Sequence, residues 1–134
     1  MYTYTKIETP FKRAKDGTKK LIDGAWRNEK VEFLANNQWV FTEKIDGTNV
    51  GVHWDGHKVA YQGRTERAQI PAPLVNILNE KFGTNEAEEL FEQIFGEKEV
   101  VIFGEGYGKK IQKVGGEYLP DRCDFILFDV YTRR

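Results

Sequence analysis

The sequence predicts an α+β fold with a mainly antiparallel sheet and two helices. Two observations support this prediction: strand-like apolar segments lie on both sides of a region with helical spacing, and a tight-turn dipeptide joins two of the strand-like segments. The chain has 134 residues, of which 40% are hydrophobic and 13% aromatic, as is typical of a folded globular protein. We therefore expect a single domain that spans residues 1–134.

The strands that precede the helical region follow an alternating pattern. Residues 39–45 alternate well enough for a strand, and residues 49–54 do so more clearly. The dipeptide Asp55-Gly56 then provides the residues that a tight hairpin turn requires, and residues 58–62 return as the next strand. This part of the chain therefore predicts antiparallel pairing.

The second half of the chain predicts two helices and two further strands. Between Pro71 and Phe95, apolar residues recur at helical spacing around a break at Gly83. Residues 100–103 and 125–131 are continuous apolar runs bounded by charged and turn residues. Such runs are typical of central strands that are buried on both faces.

The composition excludes several classes of protein. No apolar run approaches the length that spans a bilayer, and the N-terminus lacks the apolar stretch of a signal peptide, so we expect a cytoplasmic protein without a membrane partner. The single cysteine, Cys123, is expected to be a partly buried thiol, because it has neither a disulfide partner nor a metal-ligand spacing around it. His53 and His57 flank the predicted turn without a third ligand nearby, so no metal site is predicted there.

The charge distribution is uneven although the formal net charge is only −1. The first thirty residues contain eight lysines and arginines against four acidic residues, whereas residues 80–99 contain seven glutamates against two lysines. This asymmetry permits a phosphate-facing surface on one side of the protein. A solvated charged face is the commoner explanation of such clusters.

The segment Glu-Lys-Ile-Asp-Gly-Thr-Asn at residues 43–49 lies where the first predicted strand ends. A lysine with its ordinary pKa of about 10.4 is almost fully protonated at pH 7, so a nucleophilic lysine requires desolvation or a nearby cation. A strand end beneath a ligand pocket would provide this environment for Lys44. Asp46 can return toward the lysine or a metal, Gly47 lets the backbone approach a ligand, and Asn49 can bind a sugar hydroxyl. Alone, the segment is also compatible with a turn that exposes the lysine.

Four further short segments follow in a fixed order and make the pattern specific. They are Gly63-Arg64-Thr65, Phe103-Gly104-Glu105, Ile111-Gln112-Lys113 and Asp124-Phe125-Ile126-Leu127-Phe128-Asp129. Together with Lys44–Asn49, they resemble the ATP-dependent RNA ligases of the covalent nucleotidyltransferase superfamily, of the type represented by the second RNA ligase of T-even phages. In that family the first motif reads Lys-x-(Asp or His)-Gly-x-Asn. The resemblance extends from about residue 39 to residue 131.

The resemblance implies a fold, a reaction and its partners. The fold would be the N-terminal part of a nucleotidyltransferase domain of the ATP-grasp-like kind. Lys44 would attack the α-phosphorus of ATP and hold AMP as lysyl-AMP, with Mg²⁺ neutralising charge during the in-line displacement. AMP would then pass to an RNA 5′-phosphate, and a 3′-hydroxyl would displace it and seal the strand. The expected partners are therefore ATP and RNA ends or a nicked RNA duplex.

The resemblance also assigns nucleotide-binding residues. Glu105 would accept a hydrogen bond from the AMP ribose, Phe128 would stack on the adenine, and Arg64 would contact ribose or phosphate. Each residue also has a purely structural interpretation: Glu105 as a solvated glutamate at a strand end, Phe128 as a core residue, and Arg64 as a surface arginine in an ion pair. The other predicted nucleotide-binding residues are Glu43, Asp46, Gly47 and Asn49.

The resemblance is incomplete in one respect. The family's fourth and fifth motifs, a strand glutamate and a late lysine pair that grip the metal and the α-phosphate, are not found in these 134 residues. We therefore expect the chain alone to adenylate slowly or not at all. We also expect self-association or a completing C-terminal segment, because the missing strands should leave a sheet edge or an apolar face uncovered.

Three alternative functions remain compatible with the sequence. DNA ligases and messenger-RNA capping guanylyltransferases share the Lys-x-Asp-Gly motif, and a comparison of ATP with GTP and of RNA with DNA nicks would separate them. A non-catalytic nucleotide-binding fragment would bind ATP without forming a covalent adduct. A plain interaction module would have no affinity for nucleotides.

Overall fold

The computed structural model describes residues 2–133 and divides them into two compact units. One, here called the sheet unit, contains residues 2–4 and 44–133, and the other, the small unit, contains residues 5–43. All strand pairing in the described residues is antiparallel, and helices accompany the strands. The predicted α+β class is therefore confirmed.

The small unit is a β-hairpin followed by a short helix. Strands β1 (Phe11–Arg13) and β2 (Leu21–Trp26) pair antiparallel, and helix α1 spans Glu29–Leu34. Asn28 caps this helix, because its side chain accepts a hydrogen bond from the backbone N–H of Val31. No element was predicted from the sequence within residues 11–34.

The sheet unit is built on four antiparallel strands in the order β4-β3-β5-β6. They are β3 (Thr48–Trp54), β4 (Val59–Gln62), β5 (Val100–Gly108) and β6 (Cys123–Thr132). The predicted hairpin is confirmed, because β3 and β4 pair directly across the turn.

Local hydrogen bonds explain why the hairpin turns at the predicted dipeptide. The Asp55 carboxylate accepts hydrogen bonds from the backbone N–H groups of His57, at 2.8 Å, and Lys58, at 2.7 Å. These hydrogen bonds hold the pKa of Asp55 below its ordinary value. Gly56 has a φ of 100°, a conformation that side-chain-bearing residues rarely adopt.

The two predicted helices are also confirmed. Helix α2 spans Ala72–Phe82 and helix α3 spans Asn85–Phe95, with the break at Gly83. Thr84 caps α3 through its side-chain oxygen, which is why the second helix restarts at once. A short helix, α4 (Gly115–Tyr118), lies between β5 and β6.

The hydrophobic core lies between one face of the sheet and helices α2 and α3. Alternate positions of β3 and β5 point into it, as the two-residue period of a strand requires. The intervening positions, including Asn49, His53 and Glu105, therefore face the opposite side, here called the open face. The buried core residues are Val50, Val52, Trp54, Leu74, Leu78, Phe91, Val100, Ile102, Ile111 and Cys123.

Two strand predictions are wrong. Residues 39–45 form no strand, and the side chains of Val40 and Phe41 are 88% and 93% exposed. Alternation favours an extended backbone, but a strand requires a partner, and no strand within residues 2–133 pairs with this segment. The second error is β6, which was predicted as a central strand and instead lies at the edge of the sheet with Leu127 and Val130 49% and 44% exposed.

Candidate nucleotide-binding site

The first and third motifs lie side by side at one end of the open face. Asn49 of β3 and Glu105 of β5 are directly paired across the two strands, and Thr48 pairs with Gly106. Paired residues of an antiparallel sheet have side chains on the same face, so the Asn49 amide and the Glu105 carboxylate are neighbours. Two segments 56 positions apart in the sequence therefore form one site.

Gly47 is required at its position by backbone packing. A Cβ atom at this residue would collide with the carbonyl oxygen of Gly106 and would lie 3.1 Å from Cγ of Glu105. The sequence predicted that this glycine lets the backbone approach a ligand. In the structure, the close approach is between the first and third motifs themselves.

Charged side chains converge on Glu105. Burial raises the pKa of this half-buried carboxyl, while the positive charge of Lys44 and a hydrogen bond from the backbone N–H of Gly47 act in the opposite direction. The charge of Asp46 adds to the increase of this pKa, and the charge of Arg64 opposes it. Four other predicted site residues therefore lie close enough to affect the Glu105 carboxyl. They are Lys44, Asp46, Gly47 and Arg64.

The Lys44 side chain is exposed, and its residue belongs to no strand. This differs from the predicted buried strand end, because the strand that was expected to carry the lysine does not form. The fold of the described residues therefore places the charge of Lys44 close enough to affect the Glu105 carboxyl, while the Lys44 side chain stays exposed to water. Glu43 is the last residue of the small unit and is likewise exposed.

The segment between β5 and β6 holds the first motif in place. The side-chain amide of Gln112 donates a hydrogen bond to the carbonyl oxygen of Gly47 at 3.1 Å. The hydroxyl of Tyr118 accepts a hydrogen bond from the backbone N–H of Asp46 at 3.2 Å. Gln112 was singled out as part of a motif without a role, whereas Tyr118 was missed, because nothing in its sequence context indicates a long-range backbone contact.

Arg64 lies in the loop that follows β4. Gly63 packs closely against Ala68, since a Cβ at residue 63 would lie 2.8 Å from the Cβ of residue 68. A turn closed by a hydrogen bond from the Ala68 N–H to the Thr65 carbonyl completes the loop. The guanidinium of Arg64 is exposed, so it is free to bind an anion.

A β-bulge places Phe128 on the open face. Gly104 pairs with Leu127 and Phe103 pairs with Asp129, so Phe128 has no partner on β5. A bulge lets two successive residues of one strand oppose a single step of its neighbour, which changes the face to which a side chain points.

The contacts of Phe128 agree with this placement. Its ring centroid lies 5.1 Å from that of Tyr4, and the Tyr4 ring lies 5.0 Å from that of Phe103. Phe103 and Glu105 are two positions apart on one strand and share a face. Phe125, in contrast, packs against the helix side of the sheet. Phe128 is therefore not an ordinary core residue, and the residue is 46% exposed.

The described residues offer little for a resident metal ion. Among residues 2–133 there is no group of three or more histidine, cysteine, aspartate or glutamate side chains that could hold one. The His53 ring lies 2.9 Å from a carboxylate oxygen of Glu99, and the backbone of His57 belongs to the hairpin turn. Cys123 is buried, as predicted, and is a free thiol. None of the helices within the same residues is long and apolar enough to cross a membrane.

Comparisons with known proteins agree with the motifs. The RNA ligase family matches residues 37–134. A mutant of the Naegleria gruberi RNA ligase with ATP and Mn has a similar structure, with a TM-score of 0.50 and 22% sequence identity over 66% of this chain and 24% of that chain. The same RNA ligase with PPi gives a TM-score of 0.50 and 23% identity over the same shares of the two chains.

The solved structures and the family match support different statements about this chain. At this identity, the solved structures show the fold alone, and this chain spans about a quarter of their length. No curated protein matches the sequence. The family match, however, covers most of the chain, and it includes every motif from Lys44 to Asp129. The chain therefore belongs to the RNA ligase family.

Proposed function

We propose that the sheet unit is the N-terminal part of an RNA ligase nucleotidyltransferase domain and that it binds ATP at the open face beside Glu105. In this proposal, Lys44 takes AMP from ATP, passes it to an RNA 5′-phosphate, and so prepares the end for sealing by a 3′-hydroxyl. The observation that supports it best is the convergence of Lys44, Asp46 and Arg64 on Glu105 in a chain of this family. RNA ends or a nicked RNA duplex are the proposed substrates.

The first chemical step requires a neutral amine. Lys44 would lose a proton, its nitrogen would form a bond to the α-phosphorus, and the bond to the bridging oxygen would break as pyrophosphate leaves with the electron pair. Because Lys44 is exposed in the chain without nucleotide, bound ATP itself would have to exclude water from the amine. We propose that Mg²⁺ enters with ATP as part of the substrate. The structure of the Naegleria gruberi enzyme with ATP and Mn supports a nucleotide together with a divalent metal.

The surrounding residues have distinct proposed roles. Glu105 would accept a hydrogen bond from a ribose hydroxyl, and its neighbour Asn49 would bind the same sugar. Arg64 would contact ribose or phosphate with its planar guanidinium. Phe128 would stack on the adenine ring from the open face. Asp46 and Gly47 complete the proposed binding set within the sheet unit.

A second candidate function is nucleotide binding without turnover. The exposure of Lys44 favours it, because an amine in contact with water lacks the desolvated environment that activates a lysine nucleophile. A capping guanylyltransferase would use GTP in place of ATP, and a DNA ligase would seal DNA in place of RNA.

Binding calorimetry with ATP and GTP tests the proposal. We expect ATP to bind more tightly than GTP, and we expect Arg64→Ala to weaken ATP binding about tenfold, as for one charge-assisted contact. Lys58→Ala, which removes an exposed lysine at the hairpin turn, is the control and should leave the affinity unchanged. A chain that binds neither nucleotide would contradict the proposal, and a preference for GTP would favour the capping-type alternative.

The edge of the sheet suggests how the site is completed. Strand β6 lies at the edge, and its side chains from Ile126 to Tyr131 include five large hydrophobic residues that are 44–49% exposed. We propose that this edge pairs either with a completing C-terminal segment or with another copy of the chain, because unpaired backbone groups beside apolar side chains favour strand addition.

A further inference from the structure

We propose that Tyr4 is a positioning residue for the nucleotide base, because it holds the Phe128 ring in place on the open face. This inference rests on the proposed function, in which Phe128 stacks on adenine. It assigns a role in the site to the N-terminal segment, residues 2–4, to which the motifs give none.

The N-terminal segment is anchored at two places on the sheet unit. The backbone N–H of Tyr2 donates a hydrogen bond to the side-chain oxygen of Gln62 at 3.4 Å, and the Gln62 amide donates one to the Tyr2 carbonyl. The Tyr2 ring lies 5.7 Å from the His53 ring and 5.2 Å from the Tyr131 ring. The segment therefore crosses the open face from β4 toward β6.

These anchors bring Tyr4 to the bulge. Its ring lies between Phe103, at 5.0 Å, and Phe128, at 5.1 Å, with the second pair nearly edge to face at 65°. Its hydroxyl donates a hydrogen bond to the carboxylate of Asp129 at 3.1 Å. Tyr4 thus contacts the bulged residue Phe128, the next residue of β6, Asp129, and Phe103 on the neighbouring strand.

Phe128 depends on such a contact for a fixed orientation. A residue in a bulge lacks a cross-strand partner, so the neighbours that usually restrict a strand side chain are missing. Tyr4 supplies the missing neighbour, and Phe128 as a residue is still 46% exposed. A stacking surface that is ordered before the ligand arrives binds more tightly than one that must be ordered during binding.

A double-mutant cycle on the full chain tests this inference. We expect Phe128→Ala to weaken ATP binding by about fivefold or more, as for the loss of a base-stacking ring, and Tyr4→Ala to weaken it by a smaller factor. The double variant should bind ATP no more weakly than Phe128→Ala alone, because Tyr4 acts only through the ring that is already absent. Tyr4→Phe keeps the ring contact and loses only the hydrogen bond to Asp129, so it should retain nearly the original affinity.

The outcomes separate this inference from the proposed function. Equal losses for Tyr4→Ala in the presence and absence of Phe128, or no loss at all, would overturn the role of Tyr4 while ATP binding stands. If Phe128→Ala leaves the ATP affinity unchanged, the stacking role of Phe128 in the proposed function fails, and this inference fails with it. Circular dichroism checks the fold, and Tyr4→Leu, which fills the space without a ring, replaces Tyr4→Ala if that variant unfolds.

Discussion

At the scale of single residues, Glu105 shows how a residue proposed to bind the nucleotide opposes stability. Its folded-state pKa is raised, chiefly by burial, so the folded protein keeps this proton to a higher pH than the unfolded chain does. Between the two pKa values the folded state binds more protons, and stability therefore decreases as the pH rises through that window. A carboxylate in this position is better explained by ligand binding than by folding.

Glu105→Gln should therefore be more thermostable than the unmodified chain at pH 7, and this advantage should disappear as the pH falls below the ordinary glutamate value of 4.5. Thermal melts between pH 4 and pH 7 measure the effect. Glu89→Gln changes an exposed carboxylate of α3 outside the site and is the matched control. If Glu105→Gln becomes less stable than the unmodified chain as the pH rises toward 7, the argument that burial raises the pKa of Glu105 is refuted.

Gly47, unlike Glu105, contributes to the stability of the fold, because it allows the first and third motifs to pack closely. Gly47→Ala should lower the free energy of unfolding by about 1–3 kcal/mol, the usual range for overpacking, because its Cβ would collide with the Gly106 backbone. It should also weaken ATP binding, since Glu105 lies in the same contact. Gly116→Ala is the control, because a Cβ there meets nothing within 4 Å. Equal urea midpoints for the two variants would contradict the prediction.

At the scale of elements, the sequence predicted what local chemistry determines. The hairpin at Asp55-Gly56 and the helix break at Gly83 follow from turn and cap residues that act over a few positions, and both are confirmed. The strand expected at residues 39–45 fails because pairing depends on distant partners. The order of strands in the sheet is equally non-local, so an apolar run could not distinguish the central strand β5 from the edge strand β6.

In the candidate site, too, the sequence predicted the motif residues but not the contacts between distant segments. The motif residues were identified from their order, and the structure brings Lys44, Asp46, Gly47 and Arg64 to Glu105. The supporting contact of Tyr118 could not be predicted, because it joins positions 72 apart without any pattern between them. The bulge at Phe128 was also beyond the sequence, since it arises from the pairing register of two strands.

The open edge of β6 leads to a prediction about association. We expect the chain to self-associate as its concentration rises, with the apolar side chains of this strand at the contact. Val130→Lys, a charge on the exposed edge, should shift the weight-average mass toward the monomer in sedimentation experiments. Lys98→Ala, which alters an exposed lysine before β5, is the control. A strictly monomeric chain at every concentration would exclude pairing between copies.

At the scale of the whole molecule, the chain combines the family's motifs with about a quarter of the length of the solved structures that it resembles. The sheet unit contains the motifs from Lys44 to Asp129, whereas the chain spans 24% of the Naegleria gruberi structures it resembles. A lysine that is exposed lacks the desolvation that activates an amine, so Lys44 should react slowly. We therefore expect a low rate of adenylation by this chain on its own.

The central claim is that Lys44 is the residue that receives AMP, and intact mass spectrometry after incubation with ATP and Mg²⁺ tests it most directly. The account predicts a slowly accumulating adduct of one AMP that maps to Lys44 and is absent from Lys44→Arg. An adduct on another residue, or one that persists in Lys44→Arg, would contradict it.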